Sequence, residues 1–481
     1  MTAMRVLSVT SEIYPIIKTG GLADVAGTLP GALKHEGVEV RSLVPGYPAV
    51  MTALRNASPV LDLPDLFGGP ARVLAGTASG LSLYALDAPH LYDRAGSPYG
   101  GTDGADWPDN LARFAALSQV GAMLGHGDAG WAPDVVHAHD WQAALAPAYL
   151  HFGGGTRPAT VTTIHNLAFQ GRFPAGLFGT LGLPDAAWSI DGVEFYGGIG
   201  TLKAGLRLSD GITTVSPTYA AEIMTPEGGM GLDGLLRSRA ADLYGILNGL
   251  DTAVWDPAAD PHITAQYSVA RLRRRPRNKA ALQALAGLTP NPGTLLFGAI
   301  SRLTEQKGMD LLLGAIPALL SYGAQFVVLG AGDPALERGL AAAAAAHPGQ
   351  VAAVIGFDEP LAHAIQAGAD AVLVPSRFEP CGLVQMCALR YGAIPVVARV
   401  GGLSDTLIDA NPVGLAAGVA TGITFSPVTL PALEGALART AALWARPSDW
   451  AQMQRNAMRA EVGWAGPARE YAALYKHVVK V

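Results

Sequence analysis

The chain has little with which to cross-link, clamp or strongly charge itself. Only 2 of its 481 residues are cysteine, Cys381 and Cys387. They fall at opposite ends of one predicted helical segment, which argues against a disulfide framework and for a reducing compartment. A metal site built on that pair needs more ligands than its neighbourhood offers. Charged residues are only 15% and the formal net charge is −6, with no charged tail, which disfavours both a disordered chain and a nucleic-acid partner. The one dense basic run, Arg271, Arg273, Arg274, Arg275 and Arg277, reads as a solvated helix start. No uninterrupted apolar span is long enough to cross a bilayer. The start, MTAMRVLSVTSEIYP, lacks a charged segment followed by an apolar one, so the expected location is cytoplasmic. Asp-x-Asp occurs nowhere in the chain.

What is present is apolar residues, at 50%, and glycine, at 59 residues, the profile of a globular enzyme too long for one ordinary core. Two domains of roughly 200 to 250 residues are expected. Short β-branched runs alternate with alanine-rich helical stretches. Strand candidates are Arg5 to Thr10, Val38 to Val44, Val135 to His139, Thr160 to His165 and Gly211 to Ser216. After the turn Pro290-Asn291-Pro292-Gly293 the rhythm restarts with Thr294 to Ser301, Gln325 to Gly330, Val351 to Ile355, Ala371 to Pro375 and Ile394 to Ala398. This βαβ alternation predicts two doubly wound α/β domains. They join near Ile246-Leu247-Asn248-Gly249-Leu250-Asp251, where a strand-like run meets an Asn-Gly turn. The last segment, Pro467 to Val481, carries Tyr471, Leu474, Tyr475 and Val478 at helical spacing and is placed to pack back on the first domain.

Seven short segments carry candidate chemistry. In Pro375-Ser376-Arg377-Phe378-Glu379-Pro380-Cys381-Gly382-Leu383, a carboxylate fixed beside a proline precedes backbone that opens a helix over Val384 to Tyr391, stopped by Gly392. Helix-start amides accept anions, while Glu379 repels phosphate but accepts from sugar hydroxyls, so the pair suits a ligand carrying both. A nucleotide sugar has both. Lys18-Thr19-Gly20-Gly21-Leu22-Ala23-Asp24 follows the first strand and matches neither a Walker loop nor a dinucleotide fingerprint, and glycine pairs at such turns are common. Ser301-Arg302-Leu303-Thr304-Glu305-Gln306-Lys307-Gly308 offers two cations for a pyrophosphate, the alternative being a surface ion pair with Glu305. Gly330-Ala331-Gly332-Asp333 and Gly401-Gly402-Leu403-Ser404-Asp405-Thr406 add glycine turns at the same sheet edge. His137-Ala138-His139-Asp140-Trp141 and Thr163-Ile164-His165-Asn166-Leu167 end adjacent strands at a carboxyl edge, where ligands bind in such sheets. Zinc on His137, His139 and His165 is disfavoured, because alternation leaves no assured third ligand. For His137 a structural hydrogen bond is the competing reading. With no Asp-x-Asp to clamp a divalent cation on a diphosphate, cations and backbone amides have to meet the leaving group's charge.

Taken in order, KTGGLAD, HAHDW, TIHNLAFQG, TTVSPTYA, GILNGLD, SRLTEQKG, PSRFEPCGL and VGGLSDT resemble the bacterial glycogen synthases and related plant starch synthases, from about Val6 to Tyr475. The resemblance implies a GT-B architecture of two Rossmann-like domains facing an interdomain cleft. Residues 1–248 form the acceptor domain, 249–460 the donor domain and 461–481 a helix crossing back to the first. It implies transfer of glucose from ADP-glucose to the non-reducing 4-hydroxyl of an α-1,4-glucan, with retention, no metal and no cofactor beyond the donor substrate. Carried over by position, Lys18, Gly20 and Gly21 touch donor phosphate or sugar, and Arg302 and Lys307 neutralise the leaving ADP. Glu379 holds glucose hydroxyls, with Cys381, Gly382, Leu383 and Val384 beside it, and the His165 carbonyl lies near the anomeric carbon. Asp24, Tyr92, Asp140 and Asn248 are acceptor or donor-sugar contacts, and Phe357 flanks the adenine.

Where family members carry hydroxyls, this chain has Phe357, Val384 and Cys387, which puts individual hydrogen bonds to the nucleotide in question. The competing readings are a UDP-glucose-using or other-acceptor glycosyltransferase, a pyridoxal-phosphate phosphorylase needing a Schiff-base lysine, and a non-catalytic glucan scaffold. Retention fits front-face displacement, with Glu379 as a covalent nucleophile the rival mechanism.

Overall fold

A computed structural model describes residues 3–102 and 104–480. Val481, the end of the predicted terminal helix, lies outside them. The chain divides into two units, Met1–Gly249 with Trp464–Val481, and Leu250–Gly463.

The first unit is built on β1 (Met4–Val9), β2 (Val38–Pro45), β3 (Arg55–Leu63), β4 (Ala71–Ala78), β5 (Leu81–Asp87), β6 (Val135–His139) and β7 (Ala159–Ile164). A small side sheet follows, from β8 (Arg172–Pro174), β9 (Glu194–Phe195) and β10 (Gly198–Gly200), before β11 (Gly211–Thr214) and β12 (Leu243–Gly245). The main sheet has 9 strands in the order β12-β11-β7-β6-β1-β2-β5-β4-β3. It is parallel from β12 to β5, and β4 and β3 extend it antiparallel. The central strands are continuous apolar runs because helices cover both faces. β3 to β5 are absent from the strands expected above. β3 is largely exposed and carries Pro59, which only an edge strand tolerates.

The second unit has β13 (Leu296–Ile300), β14 (Gln325–Gly330), β15 (Val351–Ile355), β16 (Ala371–Val374), β17 (Ile394–Ala398) and β18 (Ile423–Phe425). They form one parallel sheet in the order β15-β14-β13-β16-β17-β18. Alternation splits its strands between two cores: Phe297, Ala299, Phe326 and Val328 join one, and Leu296, Val327, Val372 and Val374 the other. Loops that leave the carboxyl ends of adjacent strands β13 and β16 are therefore neighbours.

The helix Ala465–Val478 belongs to the first unit, where Leu474, Tyr475 and Val478 pack with Val25, Leu29 and Leu33 of the helix Gly21–Lys34. The basic run differs from its expected solvated state at one position. Arg275 is buried and donates to the carbonyls of Tyr391 and Ala369, beside the buried pair of Lys279 and Asp370 at 2.7 Å.

Candidate active site

In the second unit, β16 delivers the Pro375–Leu383 loop beside the loop that leaves β13. The two are locked together. Gly308 adopts φ +68, and a Cβ there would stand 2.0 Å from the Pro375 carbonyl oxygen. The Arg377 amide donates to Gln306 O at 2.8 Å, and the Arg377 guanidinium grips both Asp310 oxygens at 2.7 Å. Side-chain hydrogen bonding between the two holds the Asp310 carboxyl below its usual range, against the opposing effect of burial. Arg377, charged and inside the motif, is thus spent on loop architecture. Glu379 is buried, and its Oε2 accepts from Lys307 Nζ at 2.6 Å and Ser376 Oγ at 2.9 Å. The expected pairing of Lys307 with a phosphate thus competes with a carboxylate already in place. Arg302 is exposed, and no hydrogen bond or ion pair engages its side chain among the described residues. Phe357 is 89% exposed at the end of β15.

The turn Cys381-Gly382-Leu383-Val384 opens the helix Val384–Tyr391, with Gly382 at φ +73. Both cysteine thiols are buried and unbridged. The turn is braced from behind by two groups that the sequence reading did not connect with it. Gln385 Nε2 donates to the carbonyls of Cys381 at 3.0 Å and Gly382 at 2.8 Å, and to Thr406 Oγ1 at 3.3 Å. The Gly402 amide donates to Glu379 O and Pro380 O, both at 3.1 Å, and a Cβ on Gly402 would meet the Cys381 carbonyl oxygen at 2.3 Å. Gly402 and Thr406 belong to the second glycine motif, which packs against the Glu379 loop and supports it.

In the first unit, Lys18 Nζ pairs with Asp24 Oδ1 at 2.7 Å, across the turn from loop to helix, and lies 5.3 Å from the Tyr14 ring centre. Beneath them is Glu12, a buried carboxylate overlooked in the sequence. It accepts from the Thr19 amide, from Thr19 Oγ1 at 2.6 Å, from the Gly20 amide at 3.3 Å and from the Tyr99 hydroxyl. The Gly20 amide, expected to meet the donor, is therefore already engaged. Gly21, first residue of the helix, keeps a helix-start amide.

The three histidines lie side by side, with His139 bonded to His165 and His137 only in ring contact with His139 at 4.1 Å between centroids. His137 sits between Tyr475 OH at 2.8 Å and Thr163 Oγ1 at 2.5 Å, and His139 between Ser8 Oγ at 3.1 Å and His165 Nε2 at 2.9 Å. Among the described residues no group of three or more His, Cys, Asp or Glu is arranged to hold a metal ion. Burial depresses all three imidazoles, His139 to about 3, and the mutual proximity of the rings adds to this for His137 and His165. They are neutral at pH 7. Asp140, at φ +54, accepts the His165 amide at 2.7 Å, and burial pushes its carboxyl up to about 7 despite that bond. Asn248 is buried, and its Oδ1 has no hydrogen-bond partner among the described residues. Tyr92 is placed otherwise than expected. It is fully enclosed against Tyr47 and donates its hydroxyl to Arg113 O at 2.6 Å, so it is a core residue with no surface to offer a glucan.

Residues 5–238 match the family model of the starch synthase catalytic domain, and residues 294–439 that of glycosyl transferases group 1. A glycogen synthase of Methylocella silvestris is 61% identical, over 100% of both chains. One from Acidiphilium cryptum is 62% identical over 98% of this chain and 99% of its own. Among solved structures, the catalytic domain of starch synthase IV from Arabidopsis thaliana bound to ADP and acarbose aligns over 100% of both chains at TM-score 0.90 and 31% identity. Sucrose-phosphate synthase from Thermosynechococcus elongatus, at TM-score 0.60 and 17% identity, shares the fold. With full-length relatives at such identities, the chain belongs to the glycogen and starch synthase family, glycosyltransferases with the GT-B fold.

Proposed function

We propose that the chain transfers glucose from ADP-glucose to the non-reducing 4-hydroxyl of an α-1,4-glucan with retention at the anomeric carbon. The bond from C1 to the β-phosphate oxygen breaks, the bond from C1 to the acceptor oxygen forms on the same face, and the acceptor proton passes to the departing phosphate. Such a loose transition state needs a stabilised leaving group more than a strong base. Arg302, Lys307 and the amides of Gly382 and Leu383 supply that stabilisation without a metal or cofactor. Lys18 and Gly21 reach donor phosphate or sugar, and Phe357 covers the adenine.

The observation that carries this reading is the Lys307–Glu379 pair backed by Ser376. In this reading the pair holds the carboxylate in place to receive sugar hydroxyls, and Lys307 divides its charge between Glu379 and the donor phosphate. Glu379 therefore orients glucose. His165 and Asp140 bear on the reacting sugar and the acceptor, with Asp24 and Asn248 as further sugar contacts. Purified protein should release ADP from ADP-glucose plus glycogen and do so faster than it releases UDP from UDP-glucose. No nucleoside diphosphate release from either donor overturns the reading.

A further inference from the structure

Gln385 is fully buried in the first turn of the helix Val384–Tyr391, directly after the Gly382 and Leu383 amides. Its amide orientation is fixed by its surroundings. Nε2 faces two carbonyl oxygens, Cys381 O and Gly382 O, and the Thr406 hydroxyl, whose own hydrogen goes to Gly402 O at 2.8 Å. Turned over, Oε1 would face two carbonyl oxygens. In the orientation seen, Oε1 is buried with no hydrogen-bond partner among the described residues, 2.4 Å from where a Gly382 Cβ would stand. An orphaned buried acceptor is costly, so this side chain is held for its donors.

In a planar trans peptide the carbonyl oxygen and the next residue's N–H point opposite ways. Drawing Cys381 O and Gly382 O inward therefore turns the Gly382 and Leu383 N–H groups outward. We propose that Gln385 is a positioning residue that aims these two amides at the donor diphosphate. It touches no substrate itself. Without it both peptide planes can rotate, and the oxyanion loses preorganised donors.

The inference rests on the ADP-glucose reading above, and the test separates the two. ADP affinity by calorimetry, and the KM values for ADP-glucose and glycogen, are measured on the full chain, on Gln385→Leu and on Gln385→Glu. Gln385→Leu should bind ADP about tenfold more weakly and raise the donor KM alike, with the glycogen KM unmoved. Gln385→Glu donates only when protonated, so its ADP affinity relative to the parent at the same pH should recover as pH falls. This second variant keeps the test valid if Gln385→Leu fails to fold. Affinity within about twofold of the parent for Gln385→Leu, or a flat pH ratio for Gln385→Glu, overturns the proposal. A parent chain that binds no ADP overturns the donor reading beneath it.

Discussion

Lys307 Nζ stands 2.6 Å from Glu379 Oε2, with both side chains largely withdrawn from solvent. The carboxylate therefore offsets the charge that a diphosphate would otherwise meet in full. Removing each partner should have opposite effects on ADP. Lys307→Ala should lower kcat/KM for ADP-glucose by about 10² to 10³ and weaken ADP binding. Glu379→Ala should cut turnover just as severely yet bind ADP at least as tightly, because an uncompensated ammonium remains. ADP calorimetry with ADP-release assays checks both. Weaker ADP binding and intact turnover in Glu379→Ala would falsify the role given to that residue.

Asp140 should impose its own pH dependence. Burial lifts its carboxyl to about 7, so the rate profile should bend near pH 7, and Asp140→Asn should lose that bend while still accepting the His165 amide. The sign for stability follows from linkage. The folded state holds the proton more tightly than the unfolded chain, so the contribution is whole at low pH and is lost as pH rises through the folded value. Asp140→Asn should therefore gain on the parent in melting temperature from about pH 4 to about pH 7 and hold level above it. A constant gap would rule this out.

Glu12 holds the Lys18–Gly21 turn in shape. In Glu12→Gln, one amide hydrogen pair faces the Thr19 and Gly20 donors, which should cost about 2 kcal/mol of stability and raise the KM for ADP-glucose. Denaturant unfolding together with donor kinetics tests it. Unchanged stability would mean that the turn keeps its shape by other contacts.

Gly402→Ala presses a methyl group against the Cys381 backbone, 2.3 Å from its carbonyl oxygen and 2.5 Å from its Cα. Rigid backbone has to yield, so the donor KM should rise about tenfold or more. Gly435→Ala meets nothing within 4 Å and should leave kinetics untouched while adding about 0.5 to 1 kcal/mol of helix stability. Equal donor KM values for the two variants would refute the bracing role of Gly402.

Most of the parallel strands were legible because burial on both faces writes them as apolar runs, while the three-residue β12 and β18 are too short to register. β3 was not legible, since an exposed antiparallel edge strand carries too many polar residues to stand out, and β4 and the largely buried β5 were missed with it. Glu379, Lys307 and Arg302 announced themselves through motif chemistry. Glu12 did not, because a lone acid after a strand looks like any loop residue until the amides of Thr19 and Gly20 close on it. Gln385 reads as an ordinary polar position on a helix, and the carbonyls it grips appear only in three dimensions. Arg275 failed as a solvated residue because its acidic neighbour, Asp370, is remote in sequence.

The hydrogen bond between His137 and Tyr475 joins positions 338 residues apart. Because Leu250–Gly463 is one uninterrupted segment, a growing chain emerging from the ribosome holds everything the second unit requires before the first can close. Until the last helix is made, Val25, Leu29 and Leu33 lack the apolar partners that cover them. The usual vectorial order, in which amino-terminal domains mature first, is thus reversed for this core. A nascent chain stalled short of Trp464 would display a sticky groove, a natural target for chaperones and proteases.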